Sequence, residues 1–444
     1  MVRTVAVIGG GISGLAAAWE LSRVDGNVSV TLLEGSDRLG GKLRLEEVGG
    51  SLIDVGAESV LARRPEALRL FEQLGVDDLV THPGPAGAAI VSRGRRWPMP
   101  RGTLMGVPSD PESVRGLLTD AEVERLSHET VGDPVVGDIS VGELVDARLG
   151  AAVTDRLVEP LLAGVYAGHA REISAEQAVP ALAAAAREGR PLLEVARCAA
   201  AAATSGPLVG RPVFASLTGG LGTLPEVLER ALLTAGVRVR KRAMARAMRR
   251  VGAGWVVSTG PTTDVVDERF DAVVVAVPAA PASRLLKDVA PAAGVALEGP
   301  PPPVLDGSGF LVPPTEPLTI KASTFSSVKW PWLAAAHPDR TFLRASVGRH
   351  REEATLQRSD DELVAVALAD LRAVLGSEVP TPVATHVQRW GGGLPQYAVG
   401  HRSRLAPTRV LPSGLALCGA AYDGVGIPAC IASGRAAARA VLTP

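Results

Sequence analysis

The chain has 444 residues, 46% apolar and 21% charged, with 47 acidic and 46 basic side chains. That is length enough for two or three domains with sizeable cores, and the composition is globular rather than disordered. A net charge of −1 gives no electrostatic reason to bind nucleic acid. Three scattered cysteines, Cys198, Cys418 and Cys430, argue against a disulfide framework or a zinc site. A reducing, cytoplasmic setting and no metal are therefore expected. No run reaches the ~18 apolar residues that a membrane span needs, and the longest candidate, 178–203, is interrupted by "REGR" at 187–190. The chain enters a strand pattern at once, without a leader-like segment. A mean hydropathy of +0.20 favours a large core or an apolar patch, and leaves peripheral contact with the inner face of a membrane open.

The clearest signal is "TVAVIGGGISGLAAAWELSR" at 4–23. Val5 to Ile8 is a short, apolar, largely β-branched run that reads as a buried strand. Gly9, Gly11 and Gly14 follow as G-x-G-x-x-G, with Ile12 and Ser13 between them, and Leu15 to Leu21 are good helix formers. The glycines serve a tight turn, close approach to a pyrophosphate and close helix–strand packing. A second strand, "VSVTLLE", ends at Glu34, followed by Gly35. Twenty residues past the glycines is where a carboxylate accepts hydrogen bonds from an adenosine ribose. Strand, glycines, helix, strand and acid in that order predict a dinucleotide site. "DRLGGK" then supplies Arg38, Gly40, Gly41 and Lys42, a second glycine pair flanked by cations that can hold the same pyrophosphate from its other side. "SLIDVGAESV" places Asp54, Gly56, Ala57 and Glu58 after another short strand, with Glu58 either beside the cofactor or starting a helix.

Residues 61–78 read as a helix, 85–107 as strand-like and turn-rich, and 111–203 as a helical insertion. "LTGGLGTLPEVLERALLTAGVRVR" (217–240) resumes a glycine loop, a helix and a strand, and "FDAVVVAVP" (270–278) is another buried strand. In the stretch 285–393, "LTIKASTFSSVKWPWL" and "TFLRASVGR" are strand-like, 359–376 is a helix and "PPPP" at 300–303 is a linker or turn. A mixed sheet with a covering helix is expected there. No internal repeat is evident. The chain ends on "GAAYDGVGIPACI" (419–431), a glycine loop that opens a helix near Pro428.

Together these elements predict an α/β fold with a discontinuous Rossmann-like domain from 1–80, 206–284 and 395–444. A mixed-sheet substrate domain takes 81–110 and 285–394, and a helical domain, with membrane association left open, takes 111–205. The last strand, 414–421, is expected beside the first. The loop after it would then reach the same edge as Gly9–Gly14, with Gly424 and Gly426 letting backbone approach a cofactor.

The order of motifs resembles one family, the protoporphyrinogen and bacterial coproporphyrinogen III oxidases of the flavin amine oxidase superfamily. "GGGISGLAAAWEL" and "DRLGGK" are shared across the superfamily, the latter resembling its R-x-G-G-[RK] motif for FAD. "EPLLAGVYAG" (159–168), "TFSSVKWP" (324–331), "LRASVGR" (343–349) and "RWGGGLPQYAVGH" (389–401) are more specific, and together the stretches span nearly the whole chain. His169 departs from the family pattern, which commonly has an acidic or small polar residue after "YAG".

The resemblance implies FAD as cofactor and oxidation of coproporphyrinogen III to coproporphyrin III in haem biosynthesis. Six electrons would leave in three hydride transfers, with O2 as acceptor giving H2O2. It adds Val239, Trp390, Gly419, Val425, Gly426 and Ile427 to the cofactor-binding set. A tetrapyrrole calls for a flat apolar slot, and its propionates call for arginines, which bind carboxylates bidentately. Arg64 is the first candidate, with Arg63 and Arg101; Gly164, Val165, Tyr166 and Gly168 would line the slot. No Ser/His/Asp triad or general base stands out, so no catalytic side chain is assigned. Protoporphyrinogen IX is an alternative substrate. A flavin amine oxidase is a more distant alternative, because the chain is only 3% aromatic and such enzymes usually cage the amine with aromatic rings. A non-enzymatic binding protein of the same fold, like the prenyl-GTPase escorts, is a third.

Overall fold

The computed structural model describes residues 2–24, 27–205, 210–261, 263–278, 282, 294–298, 305, 307–390, 394–406 and 411–443. The proposed "PPPP" linker at 300–303 and the three glycines at 391–393 lie outside the described residues.

Strand β1 (Arg3–Ile8) is buried from Val5 onward, and every neighbour pairs with it in parallel, as in a sheet covered on both faces. The five-stranded order is Arg238–Arg240, β2 (Val28–Leu33), β1, Ala272–Val275 and Leu415–Leu417, all parallel. The last strand is therefore not beside the first, as the sequence suggested. Ala272–Val275 is buried at all four positions and takes the inner place, while Leu415–Leu417, with one buried residue, closes the edge. The C-terminal loop still emerges at the same end of the sheet as Gly9.

One face of this sheet is covered by α1 (Ile12–Ser22) and the helix Ile427–Ala440. A Cβ on Gly434 would stand 3.1 Å from the Ala17 nitrogen, so glycine is what allows these two helices to approach. Leu15, Leu32, Leu224, Leu228 and Ile431 are fully buried in this core. The other face packs on Trp255, Val257 and Phe270 of an antiparallel sheet, Ala245–Val251, Gly254–Thr259 and Val266–Phe270.

A second, seven-stranded sheet runs Ala384–His386, Gly294–Glu298, Arg340–Val347, Ile320–Phe325, Gly309–Leu311, Ala88–Ser92 and Arg95–Pro98. It is mixed: Gly309–Leu311 pairs with Ala88–Ser92 in parallel and the other pairs are antiparallel. Helix Asp360–Leu375, started by a Ser359/Glu362 capping box, covers it and buries Leu363, Ala367 and Leu371 against Phe310, Phe325 and Leu343.

Two readings change in detail. The helix expected over 61–78 begins only at Pro65 and ends at Leu74, where Gly75 takes φ 66°. Val60–Leu61 are instead a strand pairing with Phe214–Ala215. The strand pattern at 318–333 stops at Phe325, and two short helices, Ser326–Lys329 and Pro331–Ala336, follow. Pro331 fits the first turn of the second one. Residues 120–205 form the helical insertion around Leu126, Leu144, Leu149, Leu162, Leu182 and Leu192. Among the described residues, no helix is long and apolar enough to cross a membrane.

Candidate functional site

The first glycine loop has the geometry its spacing predicts. Gly9 has φ +107°, and a Cβ there would meet the Ala276 carbonyl at 2.8 Å. A Cβ on Gly14 would collide with the Gly9 carbonyl, so this residue holds α1 against β1. Gly11 is different. Nothing lies within 4 Å of where its Cβ would be, so this backbone faces open space. The second glycine pair folds onto the first loop: the Gly40 N–H donates to the Gly10 carbonyl at 2.8 Å. A Cβ on Gly41 would be 3.2 Å from the Gly11 Cα.

Glu34 ends β2 with both carboxylate oxygens on backbone donors, the Gly10 N–H at 2.7 Å and the Ser36 N–H at 2.7 Å. The Glu34 N–H donates to the Arg240 carbonyl at 2.9 Å, and Val239 pairs with Leu32. Glu34, Gly35 and Val239 are thereby grouped at one end of the sheet. The two cations of "DRLGGK" divide their roles. Arg38 donates to the Leu39 and Gly41 carbonyls, at 3.2 and 2.9 Å, and so fastens its own loop. Lys42 is half-buried and has no ion pair among the described residues. Burial lowers its pKa, opposed by the nearby Cys430.

Asp54 accepts the Leu221 and Gly222 N–H groups at 2.8 and 2.7 Å, fixing the glycine loop of "LTGGLGT". Burial pushes its pKa up to about 7 against those two donors. Gly56 and Ala57 follow, and the Ala57 N–H donates to the Lys42 carbonyl at 3.0 Å. A Cβ on Gly56 would lie 3.2 Å from the Trp390 ring, which brings Trp390 to this strand.

Glu58 does not start a helix. It is buried, and Lys329 Nζ donates to its Oε1 at 2.6 Å. Arg344 stands 3.8 Å from the same oxygen and donates to the Gly56 carbonyl at 2.6 Å. Burial alone would raise the Glu58 pKa, but Arg344 and Lys329 outweigh it and hold the carboxyl down at about 2. Lys329 and Arg344 belong to "TFSSVKWP" and "LRASVGR". Their stretches were visible in the sequence, but neither residue was singled out, because the pairing with Glu58 spans 271 and 286 positions, respectively.

The C-terminal loop arrives beside the first one. A Cβ on Gly419 would be 3.7 Å from Ser13 Oγ, and the Gly419 N–H donates to Ser433 Oγ at 2.9 Å. Gly424 has φ +125° and needs glycine. Gly426 is extended at φ −68° and caps the helix that starts at Ile427, so its backbone does not require glycine as Gly424's does. Val425 packs against the cluster that contains Tyr166 and Tyr397.

The residues expected to line the substrate slot lie on and just after helix Glu159–Tyr166. Gly164 and Val165 are exposed, and a Cβ on Gly164 would be 3.6 Å from Leu311 of the mixed sheet. Tyr166 is largely core: its ring lies 5.5 Å from Tyr397 and only 8% of it is exposed. Gly168 packs on Gln396, whose Nε2 donates to the Tyr166 carbonyl at 2.8 Å. Between them Ala167 has φ +52°, a left-handed conformation costly for a residue with a Cβ. Its carbonyl accepts the His350 N–H at 2.7 Å. His169 Nδ1 faces buried Glu159 at 3.0 Å and Nε2 faces the His350 carbonyl at 3.2 Å.

The arginine candidates are less integrated. Arg63 and Arg64 are exposed, and Arg64 pairs with Glu66 at 2.6 Å. Arg63 borders an outer depression of about 390 Å3 together with Arg69 and Arg211. Arg101 is exposed. Two cations not singled out earlier are better held: Lys321 donates to the Gly348 carbonyl at 2.7 Å, and buried Arg349 donates to the Val312 carbonyl at 2.8 Å. Burial and neighbouring Arg349 lower the Lys321 pKa to about 8.

The donor set fits FAD. Two interlocked glycine loops present backbone with space at Gly11, and the Glu34 carboxylate and the half-buried Lys42 ammonium lie beside them. Among the described residues, no group of metal-ligating side chains occurs.

The sequence profile described as flavin containing amine oxidoreductase matches residues 12–442. A coproporphyrinogen III oxidase of Mycobacterium tuberculosis is 39% identical over 98% of this chain and 96% of its own. The Bacillus subtilis protein of that name is 31% identical over 99% and 98%. A solved structure from Exiguobacterium, assigned as a protoporphyrinogen oxidase, superposes with TM-score 0.85 at 30% identity and covers 99% of both chains. The wild-type putrescine oxidase structure bound to putrescine shares the fold, with TM-score 0.68 at 18% identity over the whole of both chains. With its glycine loops and Glu34 in place, this chain is an FAD-binding member of the flavin-containing amine oxidoreductase family, in the branch of the coproporphyrinogen III and protoporphyrinogen oxidases.

Proposed function

We propose that this protein oxidises coproporphyrinogen III to coproporphyrin III. The reaction removes six hydrogens, four from the bridging carbons and two from pyrrole nitrogens, as three hydrides and three protons; FAD held at the glycine loops would supply the hydride acceptor, and three O2 would take up the electrons and protons as three H2O2. The observation that supports this reading is the exposed surface of helix Glu159–Tyr166. Gly164 and Val165 leave helix Glu159–Tyr166 without bulk beside Leu311, and Val425 ties the C-terminal loop to the same cluster. A flat macrocycle needs a slot of that kind.

The chain's own residues have distinct tasks. Gly9, Gly11, Gly14, Gly40 and Gly41 bring bare backbone to the pyrophosphate, and Glu34 orients the ribose. Lys42 neutralises an anion between the loops. Glu58, Lys329, Arg344 and Trp390 hold the strand at Gly56 against the mixed sheet. Val425, Gly426 and Ile427 sit beside the reacting ring, where the positive end of helix Ile427–Ala440 favours negative charge. Arg64, Arg63 and Arg101 meet propionates at the entrance, and a set of cations suits a tetracarboxylate substrate better than a dicarboxylate one.

The test is oxygen-dependent growth of porphyrin fluorescence with coproporphyrinogen III against protoporphyrinogen IX. Higher kcat/KM for coproporphyrinogen III is expected. Faster turnover of protoporphyrinogen IX would overturn the substrate assignment, and a purified protein without flavin absorbance would overturn every oxidase reading.

A further inference from the structure

At the end of α1 away from the glycine loop, ~16 Å along the helix, lies a separate basic recess. It has a volume of about 550 Å3 and its charged lining is Arg23, Arg69, Arg435, Arg439 and Glu20, with Gln73 beside them. Four guanidinium groups face one carboxylate there, a local charge of +3 on a chain whose net charge is −1. The arginines come from three elements. Arg23 follows α1, Arg69 lies on helix Pro65–Leu74, and Arg435 and Arg439 are one turn apart on helix Ile427–Ala440. Like charges brought together by tertiary structure repel, and a fold gains nothing from the arrangement unless an anion joins it.

The partners already present do not satisfy these groups. Glu20 Oε1 accepts from Arg439 Nε and Nη2 at 2.9 and 2.6 Å, so the single carboxylate of the recess is shared between Arg439 and Arg435. Arg435 is the most enclosed, with 12% of its side chain exposed, and donates from Nη2 to Gln73 at 2.5 Å. Its Nε is buried without a hydrogen bond, 3.5 Å from Glu20. Burial lowers the Arg435 pKa, and so do Arg439, Arg23 and Arg69, against Glu20. Arg23 stacks over Trp19 at 5.6 Å, leaving its N–H edge for a ligand. Planar, permanently charged forks of this kind match phosphate oxygens two at a time.

We infer that this recess binds a soluble anion carrying two or more phosphate groups, at the far end of α1 from the glycine loop. The ligand enters between Arg23 and Arg69, with Arg435 and Arg439 lining the recess behind them.

Calorimetric titration of the FAD-saturated enzyme with inorganic tripolyphosphate tests this, because bound FAD fills the glycine-loop site. Saturable one-to-one binding is expected. Arg23→Ala/Arg69→Ala, a change of two exposed side chains that should leave the fold intact, should weaken it at least tenfold. Arg250→Ala, an exposed arginine elsewhere, should change it less than twofold. Equal binding by wild type and the double variant would overturn the proposal. So would a response that sulfate reproduces at matched ionic strength, the signature of an adventitious ion only. Cosedimentation with phosphatidylglycerol vesicles, measured alongside, distinguishes a headgroup surface. Vesicle binding that the double variant loses, with no tripolyphosphate binding, would overturn the soluble-ligand assignment.

Discussion

Glu58 and Lys329 are 271 residues apart in the chain and 2.6 Å apart in the fold. The pair joins the strand end after Asp54 to the mixed sheet, and Arg344 reinforces it from the neighbouring strand through the Gly56 carbonyl. Lys329→Met leaves a buried carboxylate with the more distant Arg344 and the Trp330 side chain but without its closest cation. A loss of about 3 kcal/mol is expected, in the range for breaking a buried pair. Glu58→Gln/Lys329→Met should recover most of it, because no buried carboxylate is then left, and Arg344 keeps the Gly56 carbonyl. Urea unfolding of the four proteins in the cycle checks this, and a double variant no better than the single would reject the pair. The depressed Glu58 pKa also sets a direction with pH: its stabilisation is present above the ordinary value of 4.5 and is lost as pH falls toward about 2.

Gly11 and Gly14 separate cofactor space from packing space. Gly11 has an ordinary extended backbone, φ −71°, and an empty surrounding. Gly11→Ala should therefore fold with an unchanged apoprotein Tm while FAD affinity drops at least tenfold. Gly14→Ala should lower the Tm itself, since its Cβ meets the Gly9 carbonyl. Differential scanning calorimetry of the apoproteins with flavin titration decides. Normal FAD affinity in Gly11→Ala would show that the pyrophosphate lies elsewhere.

His169 faces an acceptor from each ring nitrogen, and only the doubly protonated ring donates to both. The Glu159 carboxylate raises its pKa above 6.5, against partial burial. A raised pKa gives stability that is full below pH 6.5 and is lost as pH rises through the folded value. His169→Asn should cost about 2 kcal/mol near pH 5.5, the scale of hydrogen bonds to a charged group, and less by pH 9. A difference that does not change with pH would exclude the charged ring.

Arg64→Ala should raise KM for the porphyrinogen more than it lowers kcat, because a propionate contact is made in ground and transition states alike. The ion pair with Glu66 adds a second expectation. Glu66→Gln frees the guanidinium and should lower KM. Steady-state kinetics on both variants checks this, and an unchanged KM in Arg64→Ala would remove Arg64 from the site.

Local pattern carried the dinucleotide loop well. Gly9, Gly11, Gly14 and Glu34 fall where their spacing put them, because a βαβ turn is decided by residues close in sequence. Other positions have partners that the spacing does not announce. Glu58 was read as even between two roles because its partners come from distant strands. Arg38, flanking the second glycine pair, turned out to fasten its own loop. Tyr166 packs mainly on Tyr397, a neighbour 231 positions away that no periodicity announces.

The sequence by itself determined that two glycine loops, an acidic strand end and an α/β sheet would make a dinucleotide-binding chain. Those are short-range consequences of backbone freedom and hydrophobic period. Only the tertiary structure decided which strand lies next to β1, where burial on every position of Ala272–Val275 displaces the last strand to the edge. It also decided which charges are paired, at Glu58 and His169, and which cations converge, at Arg23, Arg69, Arg435 and Arg439. Coulombic energy depends on distance and burial, and the order of residues along the chain specifies neither.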